Sequence, residues 1–173
     1  NKTSHQNNTQ PNQFVDVPQD HWAVAWINEL YTEGVTGGCS TAPLQYCPDA
    51  VVTRAQMAVF LVRVIHGSTF TPPASAAIFE DVPADYWASA WINQLHADGV
   101  TGGCSNAPKL FCPESNVSRA QMAVFLLRAK YGSAYIPPAS GDIFSDVSAD
   151  YWARDWIGQL YAEGYTGGCS SNP

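Results

Sequence analysis

The sequence predicts a mainly α-helical repeat protein in which a pair of helices recurs every 65 residues. The stretches 14–78 and 79–143 align without a gap and share about 40 of their 65 residues, far above chance for a globular chain. Each stretch also contains two runs of apolar residues at helical spacing. We therefore expect two complete repeats, repeat 1 (14–78) and repeat 2 (79–143), followed by a truncated repeat 3 (144–173).

Composition limits the possible functions. The formal net charge is −7, only 13% of the residues are charged and 12% are aromatic. A surface that binds nucleic acid needs a surplus of Lys and Arg, so this balance argues against nucleic-acid binding. No apolar run is long enough to cross a membrane. Residues 1–13 contain no aliphatic or aromatic side chain and are expected to form a polar N-terminal tail or linker.

The first helix of each repeat is predicted from an apolar face. In repeat 1 that face consists of Trp22, Trp26, Ile27 and Leu30. Asp20 is the expected N-cap, and Gly34 is expected to end the helix in a left-handed conformation. The paired Trp side chains favour a core position, with sugar stacking as the alternative.

The second helix begins with a predicted capping box. Thr53 and Gln56 in repeat 1, and Ser118 and Gln121 in repeat 2, have the required spacing. Gly67 and Gly132 are expected to end these helices. The apolar face of the helix in repeat 1 is predicted to be Met57, Phe60, Leu61 and Val64.

Five cysteines divide into two pairs and one single residue. Cys39 with Cys47, and Cys104 with Cys112, are expected to form disulfides within their repeats, while Cys169 stays unpaired. The alternative is a metal site, but each pair offers two thiolates and no histidine at ligand spacing, whereas zinc needs four ligands. Disulfides indicate an oxidising, extracellular setting.

The order of the motifs resembles the S-layer homology (SLH) family over residues 14–173. The blocks are Phe-x-Asp-Val, Trp-Ala, Trp-Ile, Gly-Val-Thr-Gly and Thr/Ser-Arg-Ala-Gln, and they recur in the family's order. The resemblance implies a pseudo-threefold helical bundle on the bacterial cell surface. It also implies grooves that hold a secondary cell-wall polysaccharide, often with acidic groups, so that the protein is anchored non-covalently.

The same resemblance implies a set of glycan-binding residues. They are Arg54 and Arg119 from the Arg-Ala-Gln motif, with Thr36, Gly37, Gly38, Thr101, Gly102 and Gly103 from the glycine-rich turns. A guanidinium suits a carboxylate because its planar fork donates two parallel hydrogen bonds. Considered without the resemblance, an Arg in the first turn of a helix is usually a solvated or locally paired residue. The chain departs from the family in having Gln at the motif's acidic position and a Cys-bounded loop in place of an Asp-Gly turn.

The sequence argues against an enzyme. Its histidines are replaced by Tyr at the equivalent positions of other repeats, and no nucleophile, phosphate-binding or metalloprotease motif is present. No catalytic residue, cofactor or metal is therefore expected. The alternative to a wall anchor is a structural subunit of an extracellular filament, sheath or S-layer, which self-assembles by docking its tail on a neighbour. Attached glycans are a further expectation, at the sequons of Asn1, Asn7 and Asn116.

Overall fold

The computed structural model of the protein describes residues 12–169, so the predicted tail lies almost entirely outside the described part. Five helices and two short hairpins form the regular structure of that range. They are α1 (Val24–Thr32), β1 (Ser40–Thr41), β2 (Leu44–Gln45), α2 (Arg54–His66), α3 (Ser89–Ala97), β3 (Ser105–Asn106), β4 (Lys109–Leu110), α4 (Arg119–Tyr131) and α5 (Arg154–Ala162). The predicted helices are present, but the hairpins were not predicted, so the secondary structure is mixed. No helix of this range is long and apolar enough to cross a membrane.

The first helix of each repeat starts later than the sequence predicted. In repeat 1 it begins at Val24, with Ala23 as N-cap and no side-chain cap, so the expectation that Asp20 caps it is wrong. Turn hydrogen bonds from His21 to Pro18 and from Val24 to His21 satisfy the preceding amides instead. Gly34, at φ 69°, ends the helix in the left-handed region as predicted.

In repeats 1 and 2 the second helix begins as predicted. The Thr53 hydroxyl accepts the Gln56 amide at 3.2 Å, and the Gln56 side chain accepts the Thr53 amide at 3.0 Å. The matching capping box in repeat 2 is also present. Val64, however, is 60% exposed, so its predicted place on the apolar face is wrong. The buried face of α2 includes Ala58, Leu61 and Val62. The small side chain of Ala58 lets a neighbouring helix approach closely.

Helices pack across the repeat boundaries. Helix α2 packs on α3 and α4, and α4 packs on α5, while α1 packs on no other helix of the described residues. The largest core cluster lies between α2 and repeat 2. Its fully buried members include Phe79, Ile92, Leu95, Phe111 and Val62. Each second helix is therefore stabilised by the first helix of the next repeat.

The Cys-bounded loop carries the hairpin and is fixed from two sides. Both predicted disulfides, Cys39–Cys47 and Cys104–Cys112, are confirmed, and Cys169 is free and exposed. The carboxylate of Asp16 accepts the backbone N–H groups of Tyr46 and Cys47 at 2.8 and 2.7 Å. Asp81 makes the same pair of bonds in repeat 2. These aspartates therefore hold the loop against the Phe-x-Asp-Val segment.

We expect acid to loosen the loop of repeat 1. Burial raises the pKa of Asp16, but the amide hydrogen bonds from Tyr46 and Cys47 outweigh it and hold that pKa below the ordinary value of 3.8. A lowered pKa stabilises the folded state above the unfolded value, and this stabilisation is lost as the pH falls through the folded pKa. Asp16→Asn should cost about 2 kcal/mol at pH 7 and flatten the loss of stability below pH 4, measured by urea unfolding.

Asp146→Asn is the matched control, because this exposed residue accepts no backbone amide within the described range. Its unfolding free energy at pH 7 should stay within about 0.5 kcal/mol of the parent. Equal effects of the two changes would contradict the role given to Asp16.

Candidate functional site

A Thr-Gly-Gly turn follows the first helix of each repeat and is held by its own Thr. The hydroxyl of Thr36 accepts the amide of Gly38 at 3.1 Å, and the turns of the other repeats have the same bond. Gly38 has φ 80°, and a Cβ there would lie 2.2 Å from the carbonyl oxygen of Gln45. The second glycine is thus required by the backbone and by close packing.

The first glycine of the turn faces open space. Around Gly37, Gly102 and Gly167 no atom lies within 4 Å of where a Cβ would be. Thr36 and Thr101 are buried, with 6% and 3% of their surface exposed. Of the predicted turn residues, Gly37 and Gly102 therefore offer backbone that a ligand can approach, whereas both threonines and the second glycines support the turn.

Arg54 lies inside the junction between repeats 1 and 2. It is only 3% exposed, its Nε donates to the carbonyl of Phe111 at 2.7 Å, and its guanidinium lies over the Phe111 and Phe125 rings. Burial lowers the pKa of Arg54, and the nearby Asp81 carboxylate opposes this shift. Its backbone amide also donates to Ser115 at 2.9 Å. The structure therefore places Arg54, a predicted glycan-binding residue, in a contact that joins two repeats.

Arg119, the equivalent residue of repeat 2, lies in an open groove. It is exposed, and its Nη2 donates to the Thr166 hydroxyl at 3.2 Å. The groove has a volume of about 500 Å³, and its walls combine apolar side chains with Asp146 and two tyrosines, Tyr151 and Tyr165. Phe111 fills the first junction, whereas the equivalent position 176 lies past the last residue of the sequence. Among the described residues, the two arginines of the same motif therefore have different surroundings.

The groove combines a cation, an acceptor and apolar walls. Thr166 brings its turn beside Arg119, and Gly168 and Cys169 of that turn line the groove. Asp146 occupies the position at which Asp16 and Asp81 bind backbone amides, but it is exposed and lines the groove. A sugar acid needs a guanidinium for its carboxylate, an acceptor for its hydroxyls and an apolar wall for its ring. The arrangement provides all three.

Several Trp residues were assigned wrongly to the core from the sequence. Trp26, on the predicted apolar face, is 56% exposed. Trp22, Trp87 and Trp152, the first Trp of each repeat, are 85%, 60% and 61% exposed. Each precedes its helix, because the helix starts two residues further on, and each lies beside another aromatic ring. These pairs are His21–Trp22, Tyr86–Trp87 and Tyr151–Trp152, with ring centroids 5.8 to 5.9 Å apart. The recurrence of an aromatic residue before each Trp was the available signal.

One further cluster has the donor atoms of a metal site. The carboxylate of Asp16 and the sulfurs of Cys39 and Cys47 lie within 4.8 Å of one another, and repeat 2 has the same arrangement. In each cluster the two sulfurs are bonded to each other, and the carboxylate accepts two amides. Cysteine binds a metal as a thiolate, and a sulfur in a disulfide is not a thiolate. The arrangement therefore serves to fix the loop.

Comparison with known proteins identifies similar bacterial sequences, although no protein-family model matches. The chain is 32% identical over 118 residues to a Cell surface protein of Thermoanaerobacter kivui, covering 67% of this chain and 15% of that protein. It is 29% identical over 162 residues to an Endoglucanase of a Bacillus species, covering 90% and 16%. It is 24% identical over 159 residues to an S-layer protein of Bacillus thuringiensis subsp. finitimus, covering 92% and 18%.

The chain is similar to parts of bacterial cell-surface proteins. It spans less than a fifth of the length of each of these three relatives. The similarity extends over most of the chain in two of them.

Replacing each arginine by alanine tests whether its surroundings contribute to stability. Arg54→Ala removes the donor to Phe111 and the stacked guanidinium, and should cost about 2 to 4 kcal/mol of stability. Arg119→Ala should change it by less than about 0.5 kcal/mol, because this side chain is exposed. Thermal and urea unfolding of the two variants measure the difference. Similar stabilities would show that Arg54 does not join the repeats.

Proposed function

We propose that the protein is a non-catalytic, extracellular module that anchors non-covalently to an acidic secondary cell-wall polysaccharide at the bacterial surface. The observation that carries this proposal is the isolated charge of Arg119. Among the described residues, Arg119 is exposed, and its side-chain hydrogen bond goes to a neutral group, the hydroxyl of Thr166. The other exposed cation of that range, Lys130, is paired with Glu163 at 2.6 Å. Arg119 is thus available to an acidic sugar.

The groove suits one or two sugar residues. Its volume of about 500 Å³ lies in the range of small-molecule sites, which bury a ligand on apolar walls and orient it with a few polar groups. A carboxylate on the sugar would accept two hydrogen bonds from the guanidinium of Arg119. Asp146 would accept sugar hydroxyls.

The packing of the helices supports the bundle that the SLH resemblance implies. Each second helix contacts the first helix of the next repeat, and the second helices α2 and α4 also contact each other. Rotation of one repeat onto the next, with the second helices at the centre, is consistent with a pseudo-threefold arrangement. We propose this SLH architecture for residues 14–173.

The relatives are consistent with a surface role and not with catalysis by this region. Proteins named Cell surface protein and S-layer protein share it with a protein named Endoglucanase. The matched region is 16% of the length of the Endoglucanase. A region shared by proteins with such different names fits an attachment module better than an active site.

Binding to isolated wall polysaccharide tests the proposal. Purified wall polysaccharide that contains acidic sugars should bind the protein in calorimetry, and Arg119→Ala should weaken binding about tenfold or more. Conversion of the polysaccharide's carboxyl groups to alcohols should remove most of the dependence on Arg119.

Arg154→Ala is the matched control for charge, since it removes a cation outside the groove lining that is already paired with Asp142 at 2.6 Å. It should leave the affinity within about twofold, since exposed ion pairs are weak. Absence of binding by the parent protein, or equal losses in Arg119→Ala and Arg154→Ala, would contradict the proposed site.

A second function, assembly into an extracellular filament, sheath or S-layer, is favoured by the face of α1 that no other helix of residues 12–169 covers. Leu30 on this helix is 36% exposed, whereas the equivalent Leu95 and Leu160 are 0% and 7% exposed beneath the preceding second helix. Val15 and Trp22 add exposed apolar surface to the same repeat. A neighbouring subunit would cover this face. The predicted docking of the tail lies outside the described residues, apart from the last two tail positions, and stays a prediction.

Replacement of Leu30 tests assembly independently of sugar binding. If α1 is an assembly contact, Leu30→Glu should convert multimers into monomers, seen by light scattering and electron microscopy. Ile136→Glu is the control, because Ile136 is 84% exposed and lies in a linker between helices. A parent protein that is monomeric at every concentration, or equal effects of both changes, would rule out this contact.

A further inference from the structure

The three exposed Trp residues occupy one repeated position. Trp22, Trp87 and Trp152 are separated by 65 residues each and are all more than half exposed. Isolated exposed aromatic residues are common and need no explanation. Here the other Trp of repeats 2 and 3, Trp91 and Trp156, is half-buried and covered by an Arg of the preceding helix. In repeat 1 the other Trp, Trp26, is 56% exposed, so the contrast holds for repeats 2 and 3. There it indicates that the outer position serves a surface contact.

The outer position carries more than a single ring. Each Trp lies next to a second aromatic ring that is inclined by 31° to 46°, so the two rings form a shallow aromatic corner. An exposed aspartate directly precedes each pair: Asp20, Asp85 and Asp150. We use the name aromatic platform for each Asp-(His/Tyr)-Trp set.

The chemistry of a platform fits an uncharged sugar ring. The face of an indole carries partial negative charge, and the C–H groups on one face of a pyranose are its natural partners. The aspartate accepts hydroxyl donors at the edge of that ring. The same carboxylate repels sugar acids and phosphates, and the net charge of −7 adds to this repulsion.

One platform is continuous with the Arg119 groove. Tyr151 lines that groove, and its ring lies 5.9 Å from the ring of Trp152. A polysaccharide whose acidic residue occupies the groove would place neighbouring residues over Trp152. We propose that the three aromatic platforms bind uncharged sugar residues of the wall polysaccharide, as stacking sites separate from the acid-binding groove. This inference rests on the proposed function and adds to it the binding of the uncharged sugar residues of the same polysaccharide.

A second copy of the chain is a less suitable occupant. Contact between two platforms would place an aspartate of one molecule against an aspartate of the other, without a cation among the residues of the platform. Three platforms at one repeated position suit a repeating polymer. A polymer that spans two platforms would meet the second at a high effective concentration, so weak individual contacts would add to a firm attachment.

The experiment uses the full chain, purified wall polysaccharide and the same polysaccharide after reduction of its carboxyl groups to alcohols. The variants are Arg119→Ala, the triple variant Trp22→Ala/Trp87→Ala/Trp152→Ala, and the control Ile136→Ala, which removes a similarly exposed apolar side chain. Tryptophan fluorescence and calorimetry report binding, and light scattering reports the oligomeric state. The exposed positions of the replaced Trp residues predict that the triple variant stays folded, which unfolding curves check.

The reduced polysaccharide should bind the parent protein and Arg119→Ala alike and quench tryptophan fluorescence. The triple variant should bind it about tenfold or more weakly, because three linked contacts are lost together. Ile136→Ala should match the parent.

Each other outcome has one meaning. If the triple variant binds the reduced polysaccharide as tightly as the parent does, the platforms are not sugar-binding sites. If the triple variant also changes its oligomeric state, the platforms are a protein contact instead. If the native polysaccharide still depends on Arg119 in either case, the proposed function stands. If the triple variant loses binding while Arg119→Ala has no effect on either polysaccharide, the groove is wrong and the platforms stand. If neither polysaccharide binds the parent, both proposals fail.

Discussion

The rest of the structure depends on two hydrogen bonds that the carboxylate of Asp81 accepts. By accepting the amides of Phe111 and Cys112, it fixes the end of the Cys-bounded loop of repeat 2. The carbonyl of Phe111 then points at the guanidinium of Arg54, and the same loop accepts the Arg54 amide through Ser115. The first turn of α2 is thereby fastened to the next repeat. The disulfide restrains the loop from its other side, so a small unit with a limited core gains a rigid contact surface.

Features that need only neighbouring residues were predictable from the sequence. The Thr53–Gln56 capping box, the helix end at Gly67 and the pairing of Cys39 with Cys47 each depend on a few positions close together in the chain. The late start of α1 was missed because a series of turns, not the Asp20 side chain, satisfies the amides before the helix. That shift of register also moved Trp22 from the predicted apolar face to the surface.

The site was predictable only in part, for a different physical reason. Arg54 and Arg119 have the same motif and the same place in a helix, so sequence alone treats them as equivalent. Their environments are decided by residues far along the chain: Phe111, which is 57 residues from Arg54, covers one guanidinium. A residue pattern records what a side chain is able to do, whereas the fold decides whether solvent and ligand can reach it. The groove beside Thr166 accordingly required the structure.

The distribution of charge bears on how an acidic chain would select the anionic ligand proposed for it. Arg63 and Arg128 of the described residues stack on Trp rings and donate to backbone carbonyls, and Arg154 and Lys130 are paired with carboxylates. Because these cations are engaged, the general surface repels polyanions, and non-specific attraction of nucleic acid or acidic lipid is weak. Arg119 lies in a concave site whose apolar walls would strengthen a close ion pair. Under the proposed function, selectivity for an acidic sugar would arise because its carboxylate meets an open guanidinium only where its ring also fits.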